Sequence, residues 1–189
     1  METNALQLAG KYAPIGTQGA RTAQAQPVLD GAGTDDHRVI LFLDFDGVVH
    51  ERDAGRSGLR RYEFLPRIEN VLRDFPEVVV VVSSDWRMPV PDWSARWARA
   101  RVSADLRSRV IGAVPDLGEE DQAVGRRRRE AEAYLRDNGM HGSQWIALDD
   151  NVTIWGPADS RLLVCDDGFR ADDEERLRDA LAAMRQQRK

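Results

Sequence analysis

The sequence predicts an α/β fold, a doubly wound and mostly parallel sheet, on three observations. Continuous apolar runs of strand length, Val39 to Leu43 and Val78 to Val82 among them, have the composition of strands covered on both faces. Segments with apolar residues at helical spacing lie between those runs. Acidic or hydroxyl residues follow three runs directly: Asp44 and Asp46, Ser83 and Ser84, Asp149 and Asp150. Strand C-termini line the ligand crevice of an open parallel sheet, so the three clusters are expected to converge.

The elements follow in order. Residues 1–36 are rich in Ala, Gly, Gln and Thr, contain Pro14 and Pro27, and show no periodicity, which reads as a flexible arm before a folded domain over 37–189. Val39 to Leu43 is the first strand. Leu65, Ile68, Leu72 and Phe75 then recur at helical spacing around a start at Pro66. Glu77 to Val82 is a second strand, rich in valine. Trp86 to Leu117 admits one or two short helices, with Val110 to Val114 as a further strand. Arg127 to Asn138 is a helix closed by Gly139, and Gln144 to Leu148 is a strand running into Asp149 and Asp150. Arg161 to Cys165 reads as an edge strand. Ala171 to Arg185 places Leu177, Ala180, Leu181 and Met184 on one helical face.

Composition narrows the function classes. With 189 residues, of which 42% are hydrophobic, the chain suffices for one domain with a sizeable core and a short appendage. A formal charge of −5 argues against a general nucleic-acid-binding surface. Of 27 basic residues only Lys11 and Lys189 are lysines, a bias spread over the whole chain and so better read as genomic than as functional. No stretch approaches the roughly 18 uncharged apolar residues of a membrane span, and the N-terminus lacks the pattern of a secretory signal. The single cysteine, Cys165, cannot form an internal disulfide and is expected to be a buried, inert thiol; a reducing, cytoplasmic location is the expectation.

Carboxylates gathered at the end of a buried sheet repel one another and lose hydration, so they call for a cation, and oxygen-only ligands favour magnesium over zinc. In Asp44-Phe45-Asp46-Gly47 the two aspartates share a side if the extended geometry persists, and Gly47 permits a sharp turn. LFLDFDGVVH, residues 41–50, resembles the first motif of the haloacid dehalogenase (HAD) superfamily. VVVVVSSDWR, residues 78–87, resembles its second motif, Arg127 with Glu130 its third, and IALDDN, residues 146–151, its fourth. The resemblance covers about residues 38–185, and the combination is most similar to the HAD domain of Swiss Army Knife RNA repair proteins.

The resemblance implies a HAD-like Rossmannoid fold and a magnesium-dependent phosphatase working through an aspartyl-phosphate. It implies that Asp44 is the nucleophile and that Asp46 is the general acid for the leaving group, then the base that activates water. It implies that magnesium takes the Asp44 side chain, the Asp46 main-chain carbonyl and a fourth-motif carboxylate, with Asp150 favoured as the direct ligand and Asp149 behind it. Ser83, with Ser84 as the alternative one residue on, is implied to hydrogen-bond the phosphoryl group. The third motif is ambiguous among Arg126 to Arg129; Arg127 is preferred for its spacing to Glu130, and would neutralise phosphate charge. The fourth motif departs from family versions with a further aspartate, since Thr153, Ile154 and Trp155 stand there.

Ordinary structural roles compete at several positions. Ser83 and Ser84 alone would be strand-end or capping residues, and consecutive arginines are usually a solvated helix start. His50 reads either as a substrate contact or as a turn-stabilising or exposed histidine. Trp86, Trp93 and Trp97 more often pack a core or cover a loop than stack on a ligand. The 33 positions from His50 to Ser83 already hold a helix and a strand, which leaves no room for a large cap domain. A lidless site admits small phosphorylated metabolites and also nucleotides, nucleic-acid ends or a phosphoprotein. The competing reading is a catalytically silent phosphate- or metal-binding interaction module.

Overall fold

The computed structural model describes residues 38–54, 61–87, 102–120, 123–156 and 159–187. The N-terminal arm, Trp93 and Trp97 lie outside the described residues. The elements are β1 (Val39–Leu43), α1 (Leu65–Asp74), β2 (Val78–Val82), a 3-10 turn (Asp85–Arg87), α2 (Ala104–Arg109), β3 (Val110–Ala113), α3 (Arg126–Asp137), β4 (Gln144–Asp149), α4 (Val152–Trp155), β5 (Leu162–Val164) and α5 (Ala171–Gln186). The strands form one parallel sheet in the order β3-β2-β1-β4-β5. β1 is central, and the predicted Arg161–Cys165 strand is the short edge strand β5.

Burial explains the valine-rich strands. Every residue of β1 is buried, and the side chains alternate between two apolar layers because a strand has a period of two. Leu41, Leu43, Val80, Val82 and Leu148 face one layer, with Ile68 and Leu72 of α1 and Leu177 and Leu181 of α5. Ile40, Phe42, Val81, Trp145 and Ala147 face the other, with Ala131 and Leu135 of α3 and Trp155 of α4. Helices therefore cover both faces, the doubly wound arrangement the sequence predicts. Burying each such Leu, Val or Phe contributes roughly 1.5–3 kcal/mol.

Three details tie the elements down. Pro66 stands in the first turn of α1, where its missing N–H costs nothing. Glu69 of α1 accepts a 2.9 Å hydrogen bond from the Ser103 backbone N–H at the start of α2. Asp173 accepts a 2.7 Å bond from the Arg170 backbone N–H and so caps α5. Among the described residues no cap domain interrupts the sheet, and no helix is long and apolar enough to cross a membrane. α4 is a short helix that the sequence reading did not separate from its loop.

Candidate active site

The sheet builds the site by continuing one residue past its central strands. The Ser83 backbone N–H donates to Leu43 O at 2.9 Å and the Asp44 N–H to Leu148 O at 3.0 Å. Leu43 is in register with Val82 and with Leu148, so Asp44, Ser83 and Asp149 come level on adjacent strands. The period of two places them on the face covered by α3. Asp150 arrives through a close approach at Gly47, which has φ +71°; a Cβ there would overlap the Asp150 carboxylate.

The three carboxylates Asp44, Asp149 and Asp150 each offer an oxygen within 4.8 Å of the others. Burial, and then the neighbouring Asp149 charge, hold the Asp44 carboxyl well above the usual carboxylate range. Burial pushes Asp149 up to about 6, although it accepts a 2.9 Å bond from the Asn151 N–H and a 2.7 Å bond from the Trp155 indole N–H. This oxygen-only donor set, with carboxylates that resist ionisation beside one another, fits a hard divalent cation. Arg52 reaches over Asp150 with its Nε 2.7 Å from Oδ2.

The start of α3 separates the four consecutive arginines into two pairs. Arg126 and Arg127 are buried, whereas Arg128 pairs outward with Glu132 and Arg129 with Glu119. Arg127 contacts Glu130 at 2.5 Å and Asp85 at 2.9 Å, and its charge favours the ionised forms of Asp44 and Asp149. Arg126 grips both oxygens of Asp85 at 3.1 Å. The Ser83 hydroxyl and the Arg127 Nε are buried without a hydrogen-bond partner among the described residues. Such groups usually mark a missing polar partner.

Asp46 occupies the turn after β1 and its side chain is about two-fifths exposed (38%). His50 Nε2 lies 3.0 Å from Asp46 Oδ1, and the Trp86 indole N–H donates to Oδ2 at 2.7 Å. An open cavity of about 150 Å³ is lined by Asp44, Asp46, Arg52, Ser84, Asp85, Arg126, Arg127, Asp149, Asp150, Asn151 and Ile154. The segment after β2 thus contributes Ser84 to the cavity wall, while Ser83 is fully buried beside Asp44. The volume suits a phosphoryl group with a cation and falls well below the several hundred Å³ that would enclose a whole nucleotide.

The structure therefore gathers Asp44, Asp46, Ser84, Arg127, Asp149 and Asp150 around one opening, with Ser83 immediately behind. Sequence reasoning missed Arg52 and Asp85 as lining residues and the clasp of His50 and Trp86 on Asp46, while Arg126 stood among the four candidates for the third motif. Arg52 with Asp150, Arg126 with Asp85 and Trp86 with Asp46 are distant in sequence, so no spacing announces them, whereas His50 stands only four residues from Asp46, a spacing that could have signalled the contact.

A parallel doubly wound sheet with acidic groups after its first and fourth strands defines a HAD-type hydrolase of the Rossmannoid class. The chain belongs to the family described as the HAD domain in Swiss Army Knife RNA repair proteins, whose family model matches residues 40–174. No curated protein and no solved structure matches the chain significantly.

Proposed function

We propose that the chain is a magnesium-dependent phosphomonoester hydrolase that works through an aspartyl-phosphate on Asp44. The observation that carries this reading is the convergence of the buried Asp44 with Asp149 and Asp150 beside Arg127. Asp44, the Asp46 main-chain carbonyl and Asp150 would hold magnesium; Asp149, whose oxygens already accept from Asn151 and Trp155, would support it from behind. Bound magnesium would offset the crowded negative charge and polarise a phosphate oxygen.

In the first step an Asp44 oxygen forms a bond to phosphorus as the ester P–O bond breaks, and Asp46 gives its proton to the departing oxygen. In the second step Asp46 takes a proton from water, whose oxygen bonds to phosphorus and releases Asp44. Arg127 neutralises phosphoryl charge, and Ser84 or Ser83 donates to a phosphoryl oxygen. The cavity holds little beyond the phosphoryl group, so the rest of the substrate lies outside it. That admits bulky substrates alongside small esters, and the family description makes phosphorylated ends of RNA the first class to test.

The test is a screen of phosphomonoesters, including 5′- and 3′-phosphorylated oligonucleotides, with magnesium or chelator and with Asp44→Asn as control. Metal-dependent phosphate release by the wild type alone supports the reading. Absence of turnover across the screen would leave the chain a silent phosphate- or metal-binding module.

A further inference from the structure

We propose that His50 and Trp86 are positioning residues that fix the carboxyl group of Asp46 for proton transfer; this rests on the general acid and base role proposed above. An aspartate on an open turn has two side-chain torsions to lose, and a proton donor works only when aimed at the departing atom. Here each oxygen has its own donor. The Trp86 indole N–H lies 2.7 Å from Oδ2, and His50 Nε2 lies 3.0 Å from Oδ1. The Tyr62 backbone N–H points at His50 Nδ1 at 3.5 Å, which assigns the imidazole proton to Nε2 and makes the histidine a donor to Asp46.

The donors are themselves fixed. His50 is completely buried, with the Tyr62 ring at 5.7 Å and the Trp86 ring at 5.4 Å. Trp86 packs edge-on against Phe45 at 6.2 Å and carries the Arg61 guanidinium over its ring at 5.2 Å. A backbone bridge joins Asp46 to His50. Each carboxyl oxygen has a second lone pair, so the two N–H donors set the plane of the group while leaving it free to carry and pass a proton. The proton leaves Asp46 as the ester bond breaks and returns from water in the second step; His50 and Trp86 neither gain nor lose one.

The experiment compares kcat/KM for an alkyl phosphate, whose departing oxygen needs a proton, with that for 4-nitrophenyl phosphate, whose departing oxygen needs little. The variants are His50→Phe, His50→Gln, Trp86→Phe and Asp46→Asn, each checked by thermal melting with magnesium. Loss of aim should lower the alkyl-to-aryl ratio by about 10- to 100-fold in His50→Phe and Trp86→Phe. The amide N–H of His50→Gln should recover most of that loss. Trp86→Phe keeps the ring packing, so it decides the matter if His50→Phe does not fold. An equal fall on both substrates in folded Trp86→Phe, or no fall, overturns the positioning role. If Asp46→Asn shows the ratio change and the other variants do not, only the present inference fails. If Asp46→Asn shows no ratio change, or the wild type is inactive on both esters, the role of Asp46 fails and the inference with it.

Discussion

At the residue scale, Asp44 carries two opposing demands under the proposed mechanism: as the nucleophile it would have to be ionised, yet burial and the Asp149 charge resist that ionisation. Asp44→Asn is expected to lower turnover by about 10³-fold or more, since an amide is a poor nucleophile, and to raise the melting temperature measured in chelator. The same electrostatics fix a pH dependence. Asp149 is raised from an ordinary value of 3.8 to about 6, so the folded chain holds this proton more tightly than the unfolded chain. That stabilisation is complete below about pH 3.8 and is lost as the pH rises through about 6. Asp44 shifts in the same direction. In chelator, denaturant unfolding of the wild type should give a stability contribution that falls between pH 5 and pH 7.5, on the order of 1–3 kcal/mol. Asp44→Asn should show a smaller fall, and magnesium should erase the difference at neutral pH. A wild-type stability that rises over this window in step with the variant would refute the charge crowding.

At the element scale, the contact between β3 and α3 supplies a direct test of packing. A Cβ at Gly112 would come within 2.6 Å of the Tyr134 hydroxyl and 3.0 Å of its ring. Gly112→Ala should therefore destabilise by about 1–3 kcal/mol through overpacking. Tyr134→Phe loses only a weak 3.4 Å bond to Ile111 O, and in the Gly112→Ala background it should recover part of the loss; additive melting shifts would exclude the clash. The same comparison of elements shows what the sequence could reveal. β1, β2 and β4 were legible because strands buried on both faces carry continuous apolar runs, broken in β4 only at its ends, Gln144 and Asp149. α2 buries only Leu106 and so carries no apolar stripe, and α4 has four residues, about one helical turn. The acidic clusters were legible because a strand end announces its position. Arg126 with Asp85, and Trp86 with Asp46, were not, because they are separated by 41 and 40 residues and meet only through the sheet order.

At the scale of the whole molecule, the two apolar layers of the described residues are built from Val39 onward. The first 36 residues offer no periodic apolar array, so their deletion should change the melting temperature and small-ester hydrolysis little. A fall of many degrees on truncation would place the domain boundary earlier than Arg38. The position of β1 between β2 and β4 also governs how the chain reaches its native state. Asp44 and Ser83 come from neighbouring parts of the chain, whereas Asp149 stands 105 residues beyond Asp44. Closing the longer loop costs about 1 kcal/mol more entropy, so β4 is expected to dock after β2. Docking of β4 at that stage would force the carboxylates together, so the acidic centre is expected to slow its own assembly. Refolding by stopped-flow fluorescence should be faster for Asp44→Asn in chelator and faster for the wild type when magnesium is present from the start. Equal rates in all three conditions would mean that the carboxylates meet only after the rate-limiting barrier.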